Sequence, residues 1–166
     1  MGILIDSEDF VGKWAIAQDD YSTDRLDDYI TTFEKKFLVY LLGVELFDLF
    51  QADLVAQVPQ TARFISIFNE FYIDDGGCVF HSEGMKKMLL GMVYFHYVRD
   101  NDIKQTPSGT YKNTSELATK FSSFNGVVQR WNQSTDTFQS IQWYICDNYT
   151  TYPEYNGQLI QHTSGI

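Results

Sequence analysis

The stretch Met88–Val98, "MLLGMVYFHYV", is apolar on every side and is interrupted only by Gly91 and His96. A helix without a polar face has to be covered all round, by lipid or by the rest of a protein. Its eleven residues reach about half way across a hydrocarbon core, which takes roughly 20. Charged residues flank it (Lys86, Lys87; Arg99, Asp100, Asp102), and the other apolar run, Phe37–Val44, is shorter still. The block is therefore expected to be the central helix of a folded domain, with no membrane involved.

The surroundings suit a mostly α chain. Residues 1–22 show no sustained period, so an irregular or short-helical arm pinned by Phe10 and Trp14 is expected. From Thr23–Asp24, where Ser22 or Thr23 is placed to cap, the residues Leu26, Ile30, Phe33, Phe37, Leu41 and Val44 recur at helical spacing. Gly43 is a candidate break, and Pro59 is expected to end the following segment. "QTARFISIFNEFY" reads as one short amphipathic helix, "IDDGGC" as a turn, and Ser82 as the cap of the central helix. Gln105–Asn113 reads as a polar loop. A long helix is expected from Ser115 to about Asn148, on the order of 50 Å if unbroken. The organisation expected is a bundle of three to four helices, two of them long, over 1–148 with the arm at 1–22, and an extended tail over 149–166.

Charge excludes one class of function. The chain carries a net −10, of which −7 falls in residues 1–50, and no Lys or Arg follows Arg130. A nucleic-acid binder displaces counterions with clustered bases, so this chain should not hold duplex DNA.

The search for chemistry yields no catalytic, cofactor or metal residues. His81 and Glu83 lie close in sequence, but His96 and His162 are far away, and His96 fits a core histidine. Asp19, Asp20, Asp24, Asp27 and Asp28 lack calcium-loop spacing and read as a solvated face. No glycine-rich phosphate loop with its lysine occurs. Cys78 and Cys146 are too few for a disulfide framework or a four-cysteine zinc site. The opening "MGILIDSEDF" resembles no signal peptide, and Asp6 stands where a myristoylation signal needs Ser or Thr. Synthesis in a cytosol-like compartment with reduced thiols is expected, and Cys146 is expected to be buried.

Three segments carry a resemblance: "YITTFEKKFLVYLLGVELFDLFQADL", "SEGMKKMLLGMVYFHYVRDNDIKQTPSGTYKN" and "FQSIQWYICDNYTTYPEYNG". In order and spacing they resemble the small helical head-to-tail connector (adaptor) proteins of tailed bacteriophages. They are most similar to the ring proteins of crAss-like and related phages of Bacteroidetes, over about residues 5–157. The resemblance rests on apolar and aromatic patterning and on the "TPSG" loop. It implies a virion protein, made in the host bacterial cytoplasm, that assembles as a dodecameric ring below the portal protein. Such a ring lets DNA pass through its lumen without specific binding and docks a downstream tail component. It implies no enzymatic activity.

The aromatic share of 16% suits a subunit with lateral and axial neighbours, and an acidic lumen would not retard DNA. The segments expected to meet those neighbours are the loop residues Thr106, Pro107, Ser108, Gly109 and Tyr111. The tail residues Tyr149, Tyr152, Pro153, Tyr155 and Asn156 join them, although the tail tyrosines equally suit packing back on the long helix. On the first view, truncation after Asn148 should leave a folded helical chain that no longer assembles. A stopper or tail-completion protein further from the portal, and a soluble helical binding or regulatory protein, are the alternatives.

Overall fold

The computed structural model describes residues 2–16, 20–101, 103–106, 109–112 and 120–161, with the backbone alone at 20–23, 101, 103–106, 109–112 and 120–125. The arm forms two 3₁₀ turns, Ser7–Asp9 and Gly12–Trp14, and then α1 runs over Asp20–Leu42. Because α1 begins at Asp20, Ser22 and Thr23 lie inside it and do not cap it. Leu26, Ile30, Phe37, Leu38, Leu41 and Leu42 form its buried stripe. Gly43, at φ +80°, breaks the chain as expected, and a side chain there would strike the backbone of Asn156. Helix α2 (Val44–Asp53) follows, burying Leu46, Phe47 and Phe50.

Helix α2 ends before Pro59 is reached, because a tight hairpin intervenes: β1 (Leu54–Val55) pairs with β2 (Val58–Pro59). Ala56 and Gln57 make its turn with φ of 49° and 64°, unusual for residues other than glycine. The Gln57 amide donates to Asp6 Oδ2 at 2.8 Å, tying the turn to the arm. Helix α3 covers only Ala62–Phe68. Phe71, expected on that helix, instead starts β3 (Phe71–Asp75), paired with β4 (Cys78–Ser82). The turn between them is Gly76–Gly77, both at positive φ, the arrangement a two-residue hairpin loop requires.

Helix α4 (Met85–Asn101) holds the apolar block. Ser82 does not cap it: Ser82 ends β4, its hydroxyl accepts the Gly84 N–H at 3.2 Å, and the helix opens after Gly84. Met85, Met88, Leu89, Met92 and Val93 are all at most 1% exposed, so the helix is enclosed as its composition demands. At Gly91 a side chain would collide with Ser134 of the last helix, so glycine here sets how closely the two helices approach. Gln105–Asn113 is not a simple loop, since β5 (Ile103–Thr106) and β6 (Gly109–Lys112) pair as a third hairpin. Helix α5 (Lys120–Asp147) is the longest element. Among the described residues there are thus five helices, not three or four, and three two-stranded antiparallel pairs. None of these helices is long and apolar enough to cross a membrane.

One apolar core joins the arm, all five helices and the tail. The arm is pinned by more than Phe10 and the half-buried Trp14. Leu4 and Ile5 are fully buried, and above them sits Glu34 of α1, 1% exposed. Its carboxylate accepts the N–H groups of Ile3, Leu4 and Ile5 at 2.6, 2.6 and 3.0 Å. Burial pushes the Glu34 carboxyl above its usual range, and the three N–H donors pull against that rise.

Glu34→Ala leaves the N–H groups of Ile3, Leu4 and Ile5, the last two buried, without their acceptor, so urea denaturation should show a loss of about 3–5 kcal/mol. Glu34→Gln, which keeps the volume but turns an N–H₂ toward the donors, should recover less than half of it. A loss below about 1 kcal/mol for Glu34→Ala would show that the arm is not held this way.

Candidate functional site

Residues 149–161, expected as part of an extended tail, are packed onto the helices. Turns carry the chain through 148–154 and insert Tyr152, 2% exposed, into the core. The Tyr152 hydroxyl donates to the Arg63 carbonyl at 2.6 Å, and burial pushes that hydroxyl's pKa well up. Arg63 in turn pairs with Glu154 at 3.3 Å. Beyond this anchor the segment 156–161 lies as a strap across two helices. The N–H groups of Asn156 and Gln158 bond the carbonyls of Leu42 and Tyr40, which the break at Gly43 leaves without helical partners. On the other side Gln142 and Gln139 of α5 donate to the carbonyls of Gln158 and Ile160 at 2.8 and 3.0 Å, and the Trp131 indole donates to that of Gln161 at 3.3 Å.

Strand β4 is fastened to the same helix. Ser140 donates to the His81 carbonyl, the Glu83 N–H donates to Thr137, each at 3.2 Å, and Phe80 stacks on Trp143 with centroids 5.1 Å apart. Between strap and strand lies an open groove of about 700 Å³ with α5 as its floor. Its banks carry Val79 and Leu159, 66% and 85% exposed, and its floor carries Trp143 and Cys146. Gln142 also lines it, and that buried residue's Oε1 is left without a hydrogen-bond partner. The acidic residues Glu83 and Asp136 line the groove, and Asp74 and Asp75 are exposed at the hairpin tip next to Val79. Tyr155 closes one end, its hydroxyl pushed up to about 12 by burial, with the Cys146 thiol beside it adding to the rise.

The expected interface residues divide. Tyr149, Tyr152, Pro153 and Tyr155 come together around one shallow depression beside Cys146, with Tyr149 exposed and Tyr152 internal. Asn156 is exposed at the start of the strap. Thr106 and Gly109 face each other in the β5–β6 register, Tyr111 pairs with Lys104, and Pro107 and Ser108 lie outside the described residues. Cys146, expected to be buried, is exposed, as is Cys78, because the α5 face that carries it turns toward the groove. Sequence reasoning missed Phe80, Trp143, Gln139 and Gln142. The available signal was the row of glutamines on α5 that also holds Trp131, a helix face fitted to bond main chain.

The histidines weighed as ligands do other work. His81 stacks on Tyr72 with centroids 4.2 Å apart and bonds Glu70 at 2.9 Å. That bond, with Lys87 nearby, holds the Glu70 carboxyl below its usual range. His96 lies flat on Phe33, centroids 4.1 Å apart, with Phe37 and Trp131 around it, and its Nδ1 has no partner. It is a core histidine held by stacking and not by hydrogen bonding at that nitrogen. Burial, with Arg99 and Lys36 adding to it, lowers its pKa to about 4 against the opposing pull of Asp100. Among the described residues no cluster of three His, Cys, Asp or Glu is arranged to hold a metal ion, and Asp19 and His162 lie outside them.

No family model, no curated protein and no solved structure matches the chain.

Two predictions follow from this geometry. His96 is neutral in the folded chain, so its contribution to stability is complete above the unfolded value of 6.5 and is lost as the pH falls toward 4. His96→Phe, which preserves the stack, should remove a component on the order of 1–3 kcal/mol from the pH 6.5-to-4 stability difference. Identical pH profiles for the two proteins would refute this.

The anchoring of Tyr152 also replaces the expectation that truncation after Asn148 leaves a sound helical chain. Tyr152→Ala should cost about 3–5 kcal/mol, and Tyr152→Phe about 1 kcal/mol through the bond to Arg63. Truncation should lower the melting temperature at least as far as Tyr152→Ala. A truncated chain as stable as the full one would refute the anchoring.

Proposed function

We propose that the chain is a structural virion protein, one subunit of a ring between portal and tail that extends the DNA channel and docks the next tail component. In this reading α1, α4 and α5 supply the bundle that forms the ring wall. The proposal assigns the chain no catalysis and no cofactor.

The observation that carries it is the open groove on α5. Exposed Val79 and Leu159 gather there with the half-buried rings of Phe80 and Trp143. Apolar surface gathered in a groove with a polar rim marks a place where another protein sits. The net −10 supports the same reading, because an acidic wall would let a polyanion slide past it. The order and spacing of the three segments resembling connector proteins support this reading of its position.

The test is light scattering after size exclusion, on this chain alone and then mixed with the portal assembly of the same phage. Ring-sized mass gained on the portal is the expected result, whether the chain starts as monomer or ring. A chain that ignores the portal but joins a more distal tail assembly would establish the stopper reading instead. A chain that joins neither would overturn a virion role.

A further inference from the structure

The groove on α5 has a definite chemistry. Its floor runs from Gln133 to Cys146, about 20 Å at the helical rise, long enough for a strand of about six residues. Both banks run along α5, β4 on one side and the strap on the other, so an extended segment lying between them would share their direction. Phe80 and Trp143 offer aromatic surface, the unpartnered Gln142 Oε1 offers an acceptor, and Glu83, Asp136 and the Asp74–Asp75 tip make the site acidic. Lys13 offsets Glu83 in part, at 3.4 Å. A ligand for this groove is an extended, basic segment of polypeptide.

The chain itself contains such a segment. Strands β5 and β6 form a two-stranded hairpin whose sequence carries Lys104 and Lys112 and no acid, within a protein of net −10. A two-stranded hairpin is marginal until its face is covered. It cannot fill the groove of its own chain. The groove adjoins the start of α4, through Glu83, whereas the hairpin leaves the end of α4 at Asn101. The seventeen residues of that helix put the groove's Glu83 end about 25 Å from the hairpin's root, and a four-residue strand spans about 13 Å, so the hairpin does not cover that end in its own chain.

We infer that the groove between β4, α5 and the strap receives the β5–β6 hairpin of a second copy of this chain. Groove and hairpin are different surfaces of the chain, so the contact is head-to-tail, and repeated with a rotation that closes it makes a ring. The inference rests on the ring reading above and supplies its lateral contact. It also gives Cys146 a place within that contact.

The native Cys146 makes the contact testable in the full chain. Thr110→Cys in a Cys78→Ser background, assembled on the portal and mildly oxidised, should give a ladder of linked subunits on a non-reducing gel. With isotopically light and heavy subunits mixed, mass spectrometry should find 110–146 disulfides joining light to heavy copies. Cys146→Ser should abolish the ladder. Gln105→Cys, opposite Thr110 in the hairpin register, is the second probe should the first variant fold poorly. Reversing both lysines (Lys104→Asp with Lys112→Asp) should lower ring formation at least tenfold, and adding Asp136→Lys should recover part of it.

Rings that assemble on the portal without any 110–146 or 105–146 link between copies would overturn the docking inference and leave the ring reading standing. Failure of the unmodified chain to assemble on the portal would overturn both. Charge reversal without effect on assembly would likewise count against the groove as the hairpin's site.

Discussion

A single buried carboxylate organises one end of this molecule. Glu34 projects from the middle of α1, and its two oxygens accept three successive N–H groups of the arm. Burying a charge is costly unless it is well hydrogen-bonded, and burying three N–H groups is costly unless they find acceptors. Each requirement meets the other here. The arm therefore lies against α1, where Leu4 and Ile5 complete the core. Asp6, in the same arm, accepts the amide of Gln57, which fixes the β1–β2 turn and hence the direction in which α2 gives way to α3.

The opposite constraint, apolar and not polar, acts through α4. It has little solvated face, so α1, α3 and α5 pack around it, and α5 approaches it closely at Gly91. His96 is the one polar ring in that block, and its stacking against Phe33 shows how the core accommodates it. An imidazole kept neutral by its surroundings packs as an aromatic ring.

The strap links packing to the proposed function. Its N–H groups complete the end of α1 and its carbonyls are taken by glutamine and tryptophan side chains of α5, so it is held by main chain while Leu159 is left exposed. A segment held in this way makes a firm bank for a groove. A subunit that must accept a neighbour's strand benefits from such preorganisation, because less ordering remains to be done on binding.

Much of this was legible in the sequence. The enclosed position of α4, the break at Gly43, the turn at Gly76–Gly77 and the end of α5 near Asn148 follow from period, glycine conformation and composition, all of them local properties. Phe71 shows the limit: its spacing from Phe68 suits a helix, yet it faces the core equally well from a strand, and only the pairing with β4 decides between them. The β1–β2 turn was hidden because Ala56 and Gln57 carry no turn signature, their positive φ being held by Gln57's bond to a residue 51 positions away. The groove was hidden for the same reason, since its banks come from β4 and the strap, some 80 residues apart in the chain. The sequence by itself determined what must be inside, because a side chain's hydrophobicity travels with it wherever the chain goes. Only the tertiary structure decided which polar groups found one another, because a hydrogen bond depends on two partners meeting at about 3 Å, and no local pattern records the distant one.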